Sequence, residues 1–488
     1  MTTATMTSAS ATRTTGNNTQ APRTAVSRIT VSRTTVSRTT AAANGMQGRL
    51  DGQLLLPGEA GYDDVRTVWN AMVDRRPRMI IRCASVPDVI TAVRAGRELD
   101  LEVGVRCGGH GVPGLAVPDD GLMLDLTPMG GVRVDPARRR ARVQGGALLG
   151  ALDRAAQRYG LATTAGNVSH TGVGGLTLGG GMGWLARQYG LACDNVVSFE
   201  VVTADGNVVR ASATEHPDLF WGLRGGGGNF GVVTEFEFRL HPAGTRTLVA
   251  EYDFAPEQAG PALRGWRDLL AGAPRQATLT ASIGQGGLLT AGFVWVADPE
   301  AGRRLLPAMR ALGRPVAERV SEPSYVELQR RDDTVGRHAL RRYSKGHYLR
   351  QFPDEAIEAF LARGACAGRR ELLPSVGLQA YGGAIADVAD QDSAFSHRDA
   401  LVEYGAGTSW TDPAEDQARQ AAARRCAAAL DRFASGVYVN ALSDEGPDGV
   451  RRAYPAAKLA RLTAVKTAYD PLNVFHLNHN IRPGRAGR

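Results

Sequence analysis

No stretch of this 488-residue chain approaches the eighteen or so consecutive apolar residues that a membrane-spanning helix needs. The N-terminus has neither an apolar core nor an Arg-Arg pair of the kind exported chains carry. Membrane insertion and secretion therefore find no support. Cysteines are few: Cys83, Cys107, Cys193, Cys366 and Cys426 are odd in number, scattered and without repeated spacing. That argues against a disulfide framework and for a reducing compartment, with the cytoplasm as the default. Metal-ligand clusters are missing too. Cys107 and His110 have the spacing of one ligand pair, but no second pair accompanies them, so no metal is expected.

Acids are absent from residues 1–48, which hold Arg13, Arg23, Arg28, Arg33 and Arg38. This tail accounts for most of the formal +8 charge; outside it 52 basic side chains stand against 49 acidic, a net +3. A near-neutral body removes the main argument for nucleic acid or an anionic membrane as partner. The tail is rich in Thr, Ser, Ala and Arg, with near-repeats at Val26-Ser-Arg-Ile-Thr, Val31-Ser-Arg-Thr-Thr and Val36-Ser-Arg-Thr-Thr. It has too little apolar surface to fold, although its composition would also suit a transit peptide. Residues 1–45 are accordingly expected to be disordered, with Met46 opening the first folded unit. At 43% hydrophobic content the remainder can bury a large core and divides into two domains.

What the body does contain is glycine in short, dense runs. Leu101 to Val105 reads as a strand and opens into Arg106-Cys107-Gly108-Gly109-His110-Gly111. Three glycines around one imidazole let the backbone come close to a ligand and present successive N–H groups to a phosphate. One histidine in a glycine turn is most often a solvated loop residue. A second run, Gly166 to Trp184, with Thr171, Gly172, Gly174, Gly175 and Leu176 at its centre, makes a ligand site the better reading. A third, Gly226-Gly-Gly228-Asn-Phe-Gly231, matches G-x-G-x-x-G but precedes a strand, and Gly172-Val-Gly174 has Thr177 where the third glycine belongs. A nicotinamide-dinucleotide site is therefore not expected.

Between the runs, Ser85-Val-Pro87-Asp88 starts a helix. Val132 to Val134 and Ala141 to Val143 form a hairpin, and Leu148 to Tyr159 repeats at helical spacing before Gly160. Asn195 to Thr203 and Val232 to Leu240 read as strands, with a helical piece at Asp218 to Trp221. Further on, Ala277 to Ile283, Leu288 to Val296 and Ser375 to Ile385 read as strands, and Glu355 to Arg363 and Asp416 to Phe433 as helices. An α+β organisation follows, whose later part is an antiparallel sheet backed by helices. On Ser375 to Ile385 one face carries Gln379 and Tyr381, candidate substrate contacts. Gly436 to Asn440 places Tyr438 and Asn440 on one face.

Val105 to His110, Gly172 to Trp184, Gly190 to Asn195 and Asp218 to Thr234 resemble, in that order, the FAD-linked oxidases of the vanillyl-alcohol-oxidase fold. Tyr469-Asp-Pro-Leu-Asn473 through Ile481 looks like the closing segment of the berberine-bridge-enzyme-like subgroup. The resemblance implies a two-lobed FAD-binding domain, residues 46–240, a substrate domain, 241–430, and a C-terminal segment, 431–488, that returns to the FAD domain. It implies that His110 is bonded covalently to the 8α-methyl of FAD, which raises the flavin's potential. Many relatives add a cysteinyl link four residues before the position of Gly172. Val168 stands there, so a single link is expected, as in the 6-hydroxy-D-nicotine oxidase-like and enterocin-pathway-flavoenzyme-like branch. Cys107 and Cys193 are packing residues.

By the same resemblance, amides of Arg106, Cys107, Gly108, Gly109 and Gly111, with Gly172, Gly174 and Gly175, hold the pyrophosphate. Asp194, Asn195, Gly231 and Val233 line the adenosine end and the isoalloxazine edge. Asn478 bonds the pyrimidine, near Asn480, while His476 and His479 stand where Arg and Gln are commoner and leave the local charge open. Val168, Ser169, His170, Thr171 and Leu176 border a small oxygen pocket. Tyr438 is the candidate base, provided a donor or positive neighbour lowers its phenol. Lys345 fits a structural position. The expected partners are a small secondary metabolite and O2, without nucleic acid or membrane, and oligomeric state is not indicated. The expected activity is removal of hydride from a C–H beside O or N, with H2O2 as by-product. The alternatives are a monooxygenase of a polyketide-type pathway, suggested by the Val168-Ser-His-Thr-Gly172 run, and a non-catalytic flavin-binding protein.

Overall fold

A computed structural model describes residues 41–333, 339–364 and 370–484. Residues 1–40 of the expected tail, and Cys366, lie outside the described residues. Residues 41–46 are helical, and Ala43 and Met46 are buried against Met79, Ile81 and Val93. The boundary drawn at residue 45 thus falls inside a helix: small, helix-favouring alanines at 41–43 carry Met46 into the core.

Strands Gln53–Leu55, Met79–Arg82, Leu122–Asp125 and Val103–Arg106 form a four-stranded sheet in that order, the last three parallel. Parallel strands need crossovers, and the helix Val86–Glu98 connects Met79–Arg82 to Val103–Arg106, which lie on either side of Leu122–Asp125. It starts as the sequence indicates, with Ser85 Oγ accepting from the Asp88 amide and Pro87 in the first turn. The Asp88 carboxylate accepts from the amides of Asp51, Gly52 and Ala84 at 2.9–3.0 Å, tying down the first strand.

The hairpin Val132–Asp135 and Arg140–Gln144 belongs to a five-stranded antiparallel sheet with Val232–Arg239, Val196–Val202 and Val208–Ser212. Its apolar face, Val143, Phe199, Phe236 and Phe238, packs with the helices Leu149–Gln157 and Pro217–Leu223.

The third sheet has eight antiparallel strands: Ala317–Ser321, Leu248–Phe254, Leu289–Trp295, Ala277–Ile283, Ser375–Ala380, Val402–Trp410, Arg341–Leu349 and Ala434–Gly436. Helices Pro256–Leu270, Asp354–Ala362 and Asp416–Ala428 back it, and Trp266, Tyr252, Phe254, Phe293 and Phe360 fill the core between. The strand read as Ser375 to Ile385 ends at Ala380, because Gly382 (φ +80°) and Gly383 (φ +59°) turn the chain into the helix Ala384–Asp387. Strand Val402–Trp410 is not legible in the sequence, since Gly405 and Gly407 blank out one side of its alternation. Gly436 to Asn440 is strand only up to Gly436; Val439–Ala441 is one turn of 3-10 helix.

The C-terminal helix Ala456–Tyr469 carries Lys466 to a fully buried ion pair with Asp470 at 2.6 Å. Lys466 Nζ also donates to the carbonyls of Asn229 (2.8 Å) and Phe475 (2.9 Å), and Asp470 accepts from the amides of Val474 and Phe475. These bonds fasten the closing segment to the third glycine run. Replacing Asp470 by alanine leaves a buried ammonium without its counter-charge. We expect a loss of about 3–5 kcal/mol, read as a lower denaturant midpoint at unchanged slope.

Candidate active site

The three glycine runs and the closing segment converge on one cavity of ≈ 380 Å3. Strand Val103–Arg106 delivers the first run, the short helix Val173–Leu178 begins in the second, and the third is the loop between helix Pro217–Leu223 and strand Val232–Arg239. Two kinds of glycine build it. A Cβ on Gly108 would lie 2.2 Å from the Gly172 amide nitrogen, and one on Gly172 2.3 Å from the Gly108 nitrogen, so the first two loops touch backbone to backbone. At Gly111, Gly175 and Gly228, which line the cavity, a Cβ would meet nothing within 4 Å.

The cavity fits FAD. Among the described residues no carbonyl accepts from the amides of Gly109 and Gly111, and in the first turn of helix Val173–Leu178 the Val173 amide is taken by the Ala147 carbonyl while those of Gly174 and Gly175 have no backbone acceptor among the described residues. Such amides suit a diphosphate. Val105, Leu126, Val232, Val233 and Phe475 supply apolar walls for flat rings. Asn478 lines the cavity; its Nδ2 donates to the carbonyls of Gly228 and Phe475, while its Oδ1 is buried without a partner among the described residues.

Cys107, Gly108, Gly109, His110, Gly111, Thr171, Gly172, Gly174, Gly175, Leu176, Gly231, Val233, Tyr438 and Asn478 all line this cavity. Arg106, Val168, Asp194, Asn195, Gln379, Tyr381 and Asn480 are not among its lining residues. Arg106 turns its guanidinium to the buried Asp125 (3.1 Å). Asp194 is held by a bidentate pair with Arg398 at 2.7 and 3.0 Å, both side chains buried, and Asn195 bonds His241, Tyr189 and Leu191. The expectation that Asp194 and Asn195 border the adenosine end therefore gives way to a structural role: their polar atoms are already spent on protein partners.

His110 stacks on Trp69 (ring centroids 5.1 Å apart, 17° between planes), and the Arg342 guanidinium lies 4.0 Å over the Trp69 ring. His110 Nε2 lies 2.7 Å from His170 Nδ1, and His110 Nδ1 3.4 Å from Thr171 Oγ1. Burial pushes the Cys107 thiol up to about 11, in keeping with a packing role. His476 bonds Glu102 and the Asn473 carbonyl, whereas His479 lines the cavity and burial, only partly opposed by Glu445, pushes it down to about 4. The position left open in charge is therefore neutral near pH 7.

On the substrate-domain side, Tyr438 Oη accepts from the Gly181 amide (2.9 Å) and from Asn440 Nδ2 (2.8 Å). Burial first, then the Glu403 carboxyl, nevertheless raise its pKa, and those two donors do not offset them. Glu403 is the residue that sequence reasoning missed. It stands directly across from Gln379 in the pairing of Ser375–Ala380 with Val402–Trp410, on the face identified from Gln379 and Tyr381. Tyr381 Oη donates to it at 2.7 Å, and Tyr348 Oη lies 3.2 Å from Tyr381 Oη. Burial pushes Glu403 up to about 7, against the lowering effect of the Tyr381 hydrogen bond. Gln379 Nε2 is buried without a partner among the described residues. Lys345 pairs with Asp444 and Glu445.

Residues 77–212 match the FAD binding domain family, and residues 437–482 the berberine and berberine-like family. The chain is 32% identical to (R)-6-hydroxynicotine oxidase of Paenarthrobacter nicotinovorans, over 89% of this chain and 97% of that protein. It is 29% identical to glucooligosaccharide oxidase of Sarocladium strictum, over 87% and 91%. The crystal structure of 6-hydroxy-D-nicotine oxidase from Arthrobacter nicotinovorans superimposes with a TM-score of 0.81 at 30% identity, covering 89% of this chain and 98% of that one.

The two kinds of glycine separate folding from binding. Gly108→Ala forces two backbones apart and is expected to lower the melting temperature, whereas Gly175→Ala projects into open cavity. For Gly175→Ala we expect unchanged melting of the flavin-free chain and FAD binding weakened about 10-fold or more, read by flavin fluorescence titration. With fold, cavity and near full-length similarity in agreement, the chain belongs to the berberine-bridge-enzyme-like FAD-dependent oxidoreductases of the vanillyl-alcohol-oxidase fold.

Proposed function

We propose that the protein is an oxidase of small molecules, removing hydride from a C–H bond beside oxygen or nitrogen, with O2 as acceptor and H2O2 as by-product. In this reading residues 46–240 with 431–488 hold FAD, and residues 241–430 hold the substrate over it. FAD, when bound, supplies the two-electron acceptor and the route to O2. The protein supplies position and a place for the proton.

Glu403 carries the proposal. As the C–H bond gives up its electrons, the neighbouring O–H or N–H must lose its proton, and a carboxyl near pKa 7 can take that proton at neutral pH and release it again. The Tyr381 hydroxyl steadies the carboxylate. Tyr438 takes a different part from that of base. Its oxygen already accepts two hydrogen bonds, so its own O–H is left to donate, and its raised pKa keeps that proton in place to orient the substrate's heteroatom. Gln379 Nε2 offers a second donor on the Glu403 side. The named substrates of the relatives, a hydroxynicotine and glucooligosaccharides, both carry C–H bonds beside nitrogen or oxygen.

His110 is the single point of covalent attachment. The reading is supported by its place at the cavity wall, by Val168 where a second linking residue would stand, and by the unreactive Cys107 thiol. Acid-precipitated wild-type protein should keep its yellow colour and a mass increased by one FAD; His110→Ala should lose both while still binding flavin when native.

A panel of small alcohols and amines tests the reaction. With a substrate that bleaches the flavin under anaerobic conditions, the bleaching rate should fall about tenfold per pH unit below about 7, where Glu403 keeps its proton, and level off above it. Glu403→Gln should slow bleaching by about 10²- to 10⁴-fold and flatten that profile. One peroxide released per substrate oxidised is expected; oxygen recovered in the product would instead mean a monooxygenase, and no bleaching with any compound a protein that only stores flavin.

A further inference from the structure

We infer that His170 is a positioning residue for flavin attachment: with the Asp333 main chain behind it, it sets which nitrogen of His110 carries the proton. The inference rests on the covalent role proposed for His110.

The chain of hydrogen bonds has only one consistent direction when both rings are neutral. His170 Nε2 lies 3.3 Å from the Asp333 carbonyl oxygen. A carbonyl only accepts, so His170 Nε2 carries the hydrogen and His170 Nδ1 carries a lone pair. That lone pair faces His110 Nε2 at 2.7 Å, so His110 must donate there. The hydrogen of His110 is therefore on Nε2, and its nucleophilic lone pair is on Nδ1, on the side of Thr171 Oγ1.

The loop that holds His170 is built to keep it there. Ser169 donates to the Asp333 carboxylate from both its amide (3.0 Å) and its hydroxyl (2.8 Å). The Ser169 carbonyl accepts from the Gly150 amide at 2.7 Å, and the Thr171 carbonyl from the Leu149 amide at 2.9 Å. On the far side, Trp69 stacks on the His110 ring and fixes its plane, with the Arg342 guanidinium over the other partner of that stack, Trp69.

Attachment then balances as follows. The His110 Nδ1 lone pair forms the C–N bond to the flavin 8α carbon, and that carbon gives up one proton. Alkylation makes the Nε2 hydrogen of His110 acidic, and His170 Nδ1 takes it. The two electrons left by the substitution and the two protons pass to O2, which leaves as peroxide, and His110 ends as a neutral N-alkylated imidazole. Without an acceptor at His170 the His110 hydrogen can move to Nδ1, which removes the nucleophile. A wrong tautomer of this kind is costly even where the geometry survives.

The test is the rate at which full-length protein, purified without flavin, acquires acid-stable flavin after FAD is added. His170→Phe keeps a ring but no acceptor; His170→Asn restores one near the position of Nδ1. We expect His170→Phe to bind FAD non-covalently as the wild type does but to attach it about 10²-fold more slowly, with His170→Asn within about 10-fold of wild type. If His170→Phe does not fold, as judged by its melting curve, the asparagine variant alone decides: attachment within that range supports the inference, and slower attachment overturns it. Wild-type attachment by His170→Phe, or equal slowing of both variants, overturns the inference and leaves His110 as the point of linkage. A wild-type chain with no acid-stable flavin refutes the linkage itself, and the role of His170 with it.

Discussion

Two main chains that touch where no side chain can stand are the constraint on which this site depends. Gly108 and Gly172 lie on loops sixty-four positions apart, and each occupies the space that the other's Cβ would need. Their contact brings His110 against Thr171 and His170, sets the first turn of helix Val173–Leu178 beside the amides of the first loop, and leaves Gly111 and Gly175 facing open space. Any larger residue at the contact would separate the loops, so the same glycines that cost conformational entropy on folding create the cavity.

Around that contact the protein confines its charges. Arg106 is neutralised by Asp125, Arg398 by Asp194, and Lys466 by Asp470, each pair away from the cavity lining, and Lys466 also bonds the carbonyls of Asn229 and Phe475, which line it. A buried charge is tolerated only with a partner in good geometry, so these pairs also locate the loops. The cavity itself is left with polar groups that carry no full charge near pH 7: Tyr438, Asn440, Asn478 and a neutral His479. Glu403, on the neighbouring sheet face, is the carboxyl poised to gain or lose a proton in that range. Neither Glu403 nor Asp153, whose value is also raised to about 7, is a lining residue of the cavity; Asp153 bonds Gln329 between two helices, whereas Glu403 shares its sheet face with Gln379 and bonds Tyr381.

Legibility in the sequence followed the range of the interaction. Helix Val86–Glu98, the hairpin at Val132–Gln144 and strand Ala277–Ile283 were readable because a cap, a turn or an unbroken alternation lies within a few residues. Strands Leu248–Phe254, Arg341–Leu349 and Val402–Trp410 were not, since their identity comes from neighbours far along the chain, and in the last two glycines thin the alternation. Glu403 was hidden with its strand. Asp194 was misread for the complementary reason: it sits inside a recognisable motif, but Arg398, 204 residues away, claims its carboxylate.

The order of glycine runs around His110, the closing segment from Tyr469 to Ile481 and the neutral body outside the tail were enough to establish the family, the cofactor and the α+β class, because glycine spacing and net charge are properties of the chain itself. Which side chains face the cavity, which carboxyl holds a proton near neutrality, and which nitrogen of His110 meets His170 were decided only on folding. Each depends on desolvation and on hydrogen bonds between groups that sequence does not place side by side: Glu403 with Tyr381, 22 residues apart, and His110 with His170, 60 residues apart.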